Sequence, residues 1–168
     1  MKAKLLRVLL LVAMLHTMNS CSPDVLNSVS ASTENSTAKN VDYTYNASEI
    51  ETMTLINDYR VSKGLNALKD INYISVKAEE HNSDMIAVNT ISHDGFVARS
   101  EDIMKVLGAI KVSENVAYNY PTSQAAFNAW LNSPGHRENI EGNFTNFGMS
   151  IRLDAAGRKY YTNIFVKM

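Results

Sequence analysis

Ala129-Trp130-Leu131-Asn132-Ser133-Pro134-Gly135-His136-Arg137-Glu138-Asn139-Ile140 is where a helical pattern stops and starts again. Thr122 can cap the helix that enters it, with Ala125, Ala126, Ala129 and Trp130 as the apolar positions. Ser133-Pro134 interrupts that helix. Proline lacks an N–H but suits the first position of a new helical turn, so His136 is expected near a helix start. Downstream, Met149, Ile151 and Leu153 alternate, as do Tyr160, Thr162, Ile164 and Val166. Ala155-Ala156-Gly157-Arg158 lies between them and reads as the turn of a β-hairpin.

Upstream the pattern is mostly helical. Ser48 and Glu51 have capping-box spacing, followed by Ile50, Met53, Ile56 and Tyr59, with Gly64 as the stop. Asp70 is the expected cap of a second helix, whose stripe is Ile71, Ile74, Ala78, His81 and Met85. A loop from Asn89 to Arg99 carries His93-Asp94-Gly95. Ser100, Glu101 and Asp102 then begin a short helix ending at Gly108. Ile110 to Tyr120 contains β-branched and alternating residues and includes a strand. Burying all these stripes calls for an α/β domain in three α-β-α layers, with helices on both faces of a small antiparallel sheet.

The chain has 168 residues, 45% hydrophobic and 20% charged, with a formal charge of −1. That length suits one domain with accessories, and the composition excludes a wholly disordered or fibrous chain. No basic excess points to a nucleic-acid partner. Lys2, Lys4 and Arg7 precede the apolar run Val8 to Leu15, which is too short to span a bilayer. Residues 1–20 read as a secretory signal, and without them the formal charge falls from −1 to −4.

The single cysteine, Cys21, sits where the signal ends. Met18-Asn19-Ser20-Cys21 resembles a lipobox, which would make Cys21 the lipid anchor to a membrane. The other reading is cleavage near Ser22 and a soluble secreted protein. Residues 21–47 then comprise the lipidated Cys and a Ser/Thr/Asn-rich flexible tether. Residues 48–168 form the domain, expected to be a monomer in the cell envelope.

Ionisable residues fall at loops and element ends in three places: Ser92-His93-Asp94-Gly95, Ser113-Glu114-Asn115-Val116-Ala117, and Ser133-Pro134-Gly135-His136-Arg137. Together with Asn143-Phe144-Thr145-Asn146-Phe147-Gly148-Met149 and His81-Asn82-Ser83-Asp84-Met85, these segments resemble the bacterial branch of the CAP superfamily. That superfamily takes in cysteine-rich secretory proteins, antigen 5 and plant pathogenesis-related proteins. The resemblance covers about 48–168. It implies an α-β-α sandwich with a cleft holding His93, Glu114 and His136. Ser113 stands where the family has Gly. Ser133 stands where eukaryotic members have a second Glu.

Two imidazoles and a carboxylate with an open fourth position suit a divalent metal such as Zn²⁺, and the same groups suit proton transfer. Their sequence spacing alone carries no metal signal, since no His-x-x-x-His or His-Glu-x-x-His pair occurs. His81 and Trp130 read as core residues and Asn115 as a loop brace. Tyr118 and Tyr120 read as cleft rim or as strand packing. Ser133 beside His136 is a weak nucleophile candidate. The favoured function is a non-catalytic binding module whose cleft takes a metal, a small molecule or a lipid. The alternatives are a metal-assisted, peptidase-like hydrolase using His93, Glu114 and His136, or a purely structural role for these residues.

Overall fold

The computed structural model describes residues 41–168. The signal, Cys21 and most of the tether lie outside the described residues. The elements run α1 (Ala47–Ser62), β1 (Lys69–Asp70), α2 (Asn72–Val88), α3 (Phe96–Leu107), β2 (Lys111–Tyr118), α4 (Ser123–Asn132), α5 (Pro134–Glu141), β3 (Asn146–Leu153) and β4 (Lys159–Lys167). The sheet order is β1-β3-β4-β2. β3, β4 and β2 pair antiparallel, as expected, while the two-residue β1 adds a parallel edge on β3. No helix among the described residues is long and apolar enough to cross a membrane.

Side chains of successive strand residues point to opposite faces, and apolar core forms on both. One face packs Trp130, Phe144, Phe147, Ile151, Tyr161 and Phe165 with residues of α1, α4 and α5. The other packs Ile164 and Val166 against Ile74 and Ala78 of α2 and Ile103 of α3. Gly148 lets α2 lie directly on β3. A Cβ there would come within 2.4 Å of the Ser75 nitrogen and 2.6 Å of the Ile74 Cβ.

Four local expectations shift. The α1 capping box is Asn46/Glu49, not Ser48/Glu51. The earlier box is favoured because Glu49 is buried and also accepts from the Ile151 N–H at 2.8 Å and from Arg152 at 2.7 Å. The domain begins before residue 48. Tyr43, placed in the tether by composition, donates to Glu49, and the Tyr45 hydroxyl meets that of Ser75. Asp70 pairs in β1 and does not cap α2, which starts after Ile71 without a side-chain cap. Finally, α3 begins at Phe96 behind Gly95, whose φ of 70° is left-handed. The expected loop is therefore shorter, and Arg99 lies in the first turns of a helix.

Candidate functional site

β2 is an edge strand, so both its faces and its open side are available to build a site. Glu114 points to the α2 side and its neighbour Asn115 to the α5 side. The Glu114 side chain is only 1% exposed. A carboxylate so buried needs partners, and it has three basic ones. Arg99 Nε donates to Oε2 at 2.9 Å and Nη2 to Oε1 at 3.0 Å, a two-pronged ion pair. His93 Nδ1 lies 2.9 Å from Oε1. A carboxylate can only accept, so Nδ1 carries the proton and Nε2 is left toward the half-exposed side of the ring.

His81 occupies the core, as its stripe predicted, and it also belongs to this site. Its Nε2 donates to the Ser92 carbonyl at 2.9 Å and lies 3.7 Å from Glu114 Oε1. Burial holds the His81 pKa below its ordinary value, so the ring is neutral near pH 7. It anchors the loop one residue before His93.

On the opposite face of β2, Asn115 Nδ2 donates to the His136 carbonyl at 2.9 Å. Asn139 Nδ2 donates to Asn115 Oδ1 at 2.8 Å and to the Glu114 carbonyl at 3.2 Å. Asn115 is the brace the sequence suggested. It fixes the start of α5 and thereby His136, whose side chain makes no hydrogen bond among the described residues. Burial and the charge of His93 depress the His136 pKa. The far end of α5 is fixed by the fully buried Arg60, which donates to the Ile140 and Gly142 carbonyls at 2.6 and 2.9 Å.

The three predicted residues are thus brought to one edge, though not into one contact set. His93 touches Glu114, and His136 faces a neighbouring groove. That groove, about 300 Å³, is lined by Ile91, Tyr118, Tyr120, Ala129, Trp130, Ser133 and His136. Tyr118 and Tyr120 line it and also pack inward, Tyr118 on Tyr160 with ring centroids 4.7 Å apart and Tyr120 against the core that holds Trp130. Trp130 is core, 1% exposed and tied through Nε1 to the Val116 carbonyl at 2.9 Å, yet its edge also reaches the groove. On the other side a polar niche of about 270 Å³ includes Lys77, His81, Asp84 and Arg99. Arg99 is the residue sequence reasoning missed. Its signal was slight: a glycine ahead of Phe96-Val97, where the helix starts.

The donor chemistry does not suit Zn²⁺ as arranged. Both Glu114 oxygens are engaged by Arg99, and one of them also by His93. Among the described residues, no group of three or more His, Cys, Asp or Glu side chains is placed to hold a metal ion. The tentative set His93, Glu114, His136 is therefore not a ready ligand sphere.

Known proteins share both the sequence and the fold. The chain is 32% identical over 133 residues to the uncharacterized membrane protein YlbC of Bacillus subtilis, covering 71% of this chain and 34% of that protein. An extracellular protein containing a SCP domain from Bacillus anthracis is 28% identical with a TM-score of 0.62, over 73% of this chain and 41% of that one. An outer surface protein of Borrelia burgdorferi has a TM-score of 0.63 over 76% of this chain and 98% of that one. At 19% identity that likeness speaks for the fold alone. The chain spans about a third of the length of YlbC. The model of the CAP, or cysteine-rich secretory protein, family matches residues 53–166. That match runs from within α1 to within β4, and with it the chain belongs to the CAP family.

Proposed function

We propose that this is a non-catalytic binding module, exported and held at the cell envelope through Cys21, whose groove beside His136 takes a small amphipathic molecule. The observation that carries this reading is the groove itself. It brings Tyr118, Tyr120, Ile91 and Ala129 around the imidazole of His136, which makes no hydrogen bond among the described residues. A concavity that sets apolar side chains beside a few convergent polar groups is the kind of place where small amphipathic ligands bind. At about 300 Å³ the groove suits one acyl chain segment or one ring system, not a large substrate. Export is supported by the basic-then-apolar sequence of residues 1–20, and by the extracellular and membrane designations of two relatives.

The hydrolase alternative finds less support. A general base must be free to take a proton, whereas Glu114 is engaged by Arg99 and His93. Among the described residues, the Ser133 hydroxyl makes no hydrogen bond to a base.

Trp130 is the only tryptophan in the chain and lines the groove, so it reports on occupancy. Palmitate is the probe. Titration should change Trp130 fluorescence saturably, and Ala129→Phe, which fills the groove, should abolish the change. His136→Ala should weaken binding by about tenfold, the worth of one hydrogen bond to a polar head. No saturable change in the wild type, or unchanged binding in the folded Ala129→Phe protein, would defeat this reading.

A further inference from the structure

A carboxylate buried to 1% exposure must have its charge balanced, and a divalent cation would be one way to do it. Here the chain supplies the cation. Arg99 enters from the first turns of α3 and meets Glu114 with two parallel N–H···O contacts of 2.9 and 3.0 Å. Its side chain is itself 9% exposed, so the pair is shielded from water. Its remaining contact is to the Asp94 carbonyl at 3.3 Å, in the loop that carries His93. The guanidinium thus ties together the strand, the helix and the loop, a joining task that metal ions often perform.

We propose that Arg99 is the built-in counter-cation of Glu114, occupying the carboxylate as a divalent metal otherwise would, so that the His93/Glu114 site is held together without metal. This goes beyond the groove reading and is independent of it, because palmitate binding beside His136 requires neither outcome. It depends on both oxygens of Glu114 being taken. A metal would have to compete with a charged, two-pronged partner whose positive charge also repels it.

The test is a Zn²⁺ titration of the full-length protein by calorimetry, in the wild type, Arg99→Ala and Arg99→Ala/Glu114→Gln. The expected result is weak Zn²⁺ binding in the wild type. Arg99→Ala should gain about ten- to a hundredfold in affinity, the worth of the competing charged hydrogen bonds. That gain should vanish in the double variant. Because Arg99→Ala can lose stability, a second measurement uses the wild type alone. The Arg99 Nε–H NMR resonance should be present and protected from exchange, and unmoved by EDTA or by one equivalent of Zn²⁺. Tight Zn²⁺ binding by the wild type, no gain in folded Arg99→Ala, or a stoichiometric Zn²⁺ shift of the Arg99 resonance would overturn the proposal.

Discussion

Removing Arg99 while keeping its shape tests the electrostatic centre of the site. Arg99→Met leaves the Glu114 carboxylate at 1% exposure with only His93 in hydrogen-bond contact and the neutral His81 at 3.7 Å. Breaking one side of a buried pair costs about 3–5 kcal/mol, because the remaining charge is uncompensated. Glu114→Met should cost less, about 1–2 kcal/mol, since a freed arginine can swing its head toward solvent along its flexible stem. The double variant replaces the pair by apolar groups of similar volume and should lie within about 1 kcal/mol of the wild type. The single costs therefore should not add, and the coupling should be several kcal/mol. The assay is urea denaturation followed by far-UV circular dichroism and by Trp130 fluorescence, with thermal melts alongside. At about 4 °C per kcal/mol, Arg99→Met should lower Tm by about 12–20 °C. Destabilisation below about 1 kcal/mol, or a double variant matching the sum of the singles, would refute the argument.

Other outcomes follow from the same geometry. Gly148→Ala should destabilise by about 3 kcal/mol in urea melts, because the added Cβ meets α2 backbone that cannot move aside. Arg60→Met should cost about 3 kcal/mol by the same measurement, since it takes the donor from the buried Ile140 carbonyl at the end of α5, while the Gly142 carbonyl keeps only its bond from the Phe144 N–H. The pH dependence is set by His81 and His136, both depressed below 6.5 in the folded state. The unfolded chain takes up their protons first as pH falls. Their contribution to stability is therefore complete above about pH 6.5 and is lost as pH drops through the lowered folded values. Melts from pH 7.5 to 4.5 should show Tm falling on the acid side, with a smaller fall in His81→Gln. An equal fall in that variant would assign the acid sensitivity elsewhere.

The elements that announce themselves are those with a long period or a strong local stop. α4 is capped by Thr122 as read, through a 3.1 Å bond to the Ala125 N–H. α5 restarts at Pro134, and the β3–β4 hairpin follows its alternation. The misplacements are local choices decided by distant contacts. Asn46/Glu49 and Ser48/Glu51 both have box spacing, and Arg152 with the Ile151 N–H selects the first from over a hundred residues away. β1 is two residues long and exists only because β3 lies beside it. For the site, the family resemblance pointed to His93, Glu114 and His136, while their convergence depended on which face of β2 each neighbour occupies. His81 read as core because its stripe is apolar, and its proximity to Glu114 is a tertiary fact. Arg99 was invisible as a partner because no spacing rule links it to Glu114 fifteen residues later.

Occupancy of the groove beside His136 decides whether this domain is a binding module. Nuclear Overhauser contacts between ¹³C-labelled palmitate and the protein measure this at atomic level. The expected contacts are to the ring protons of Tyr118, Trp130 and His136, with none to the core residues Ile103 and Ile164 on the α2–α3 side. Contacts confined to another surface, or none at saturating palmitate, would contradict it.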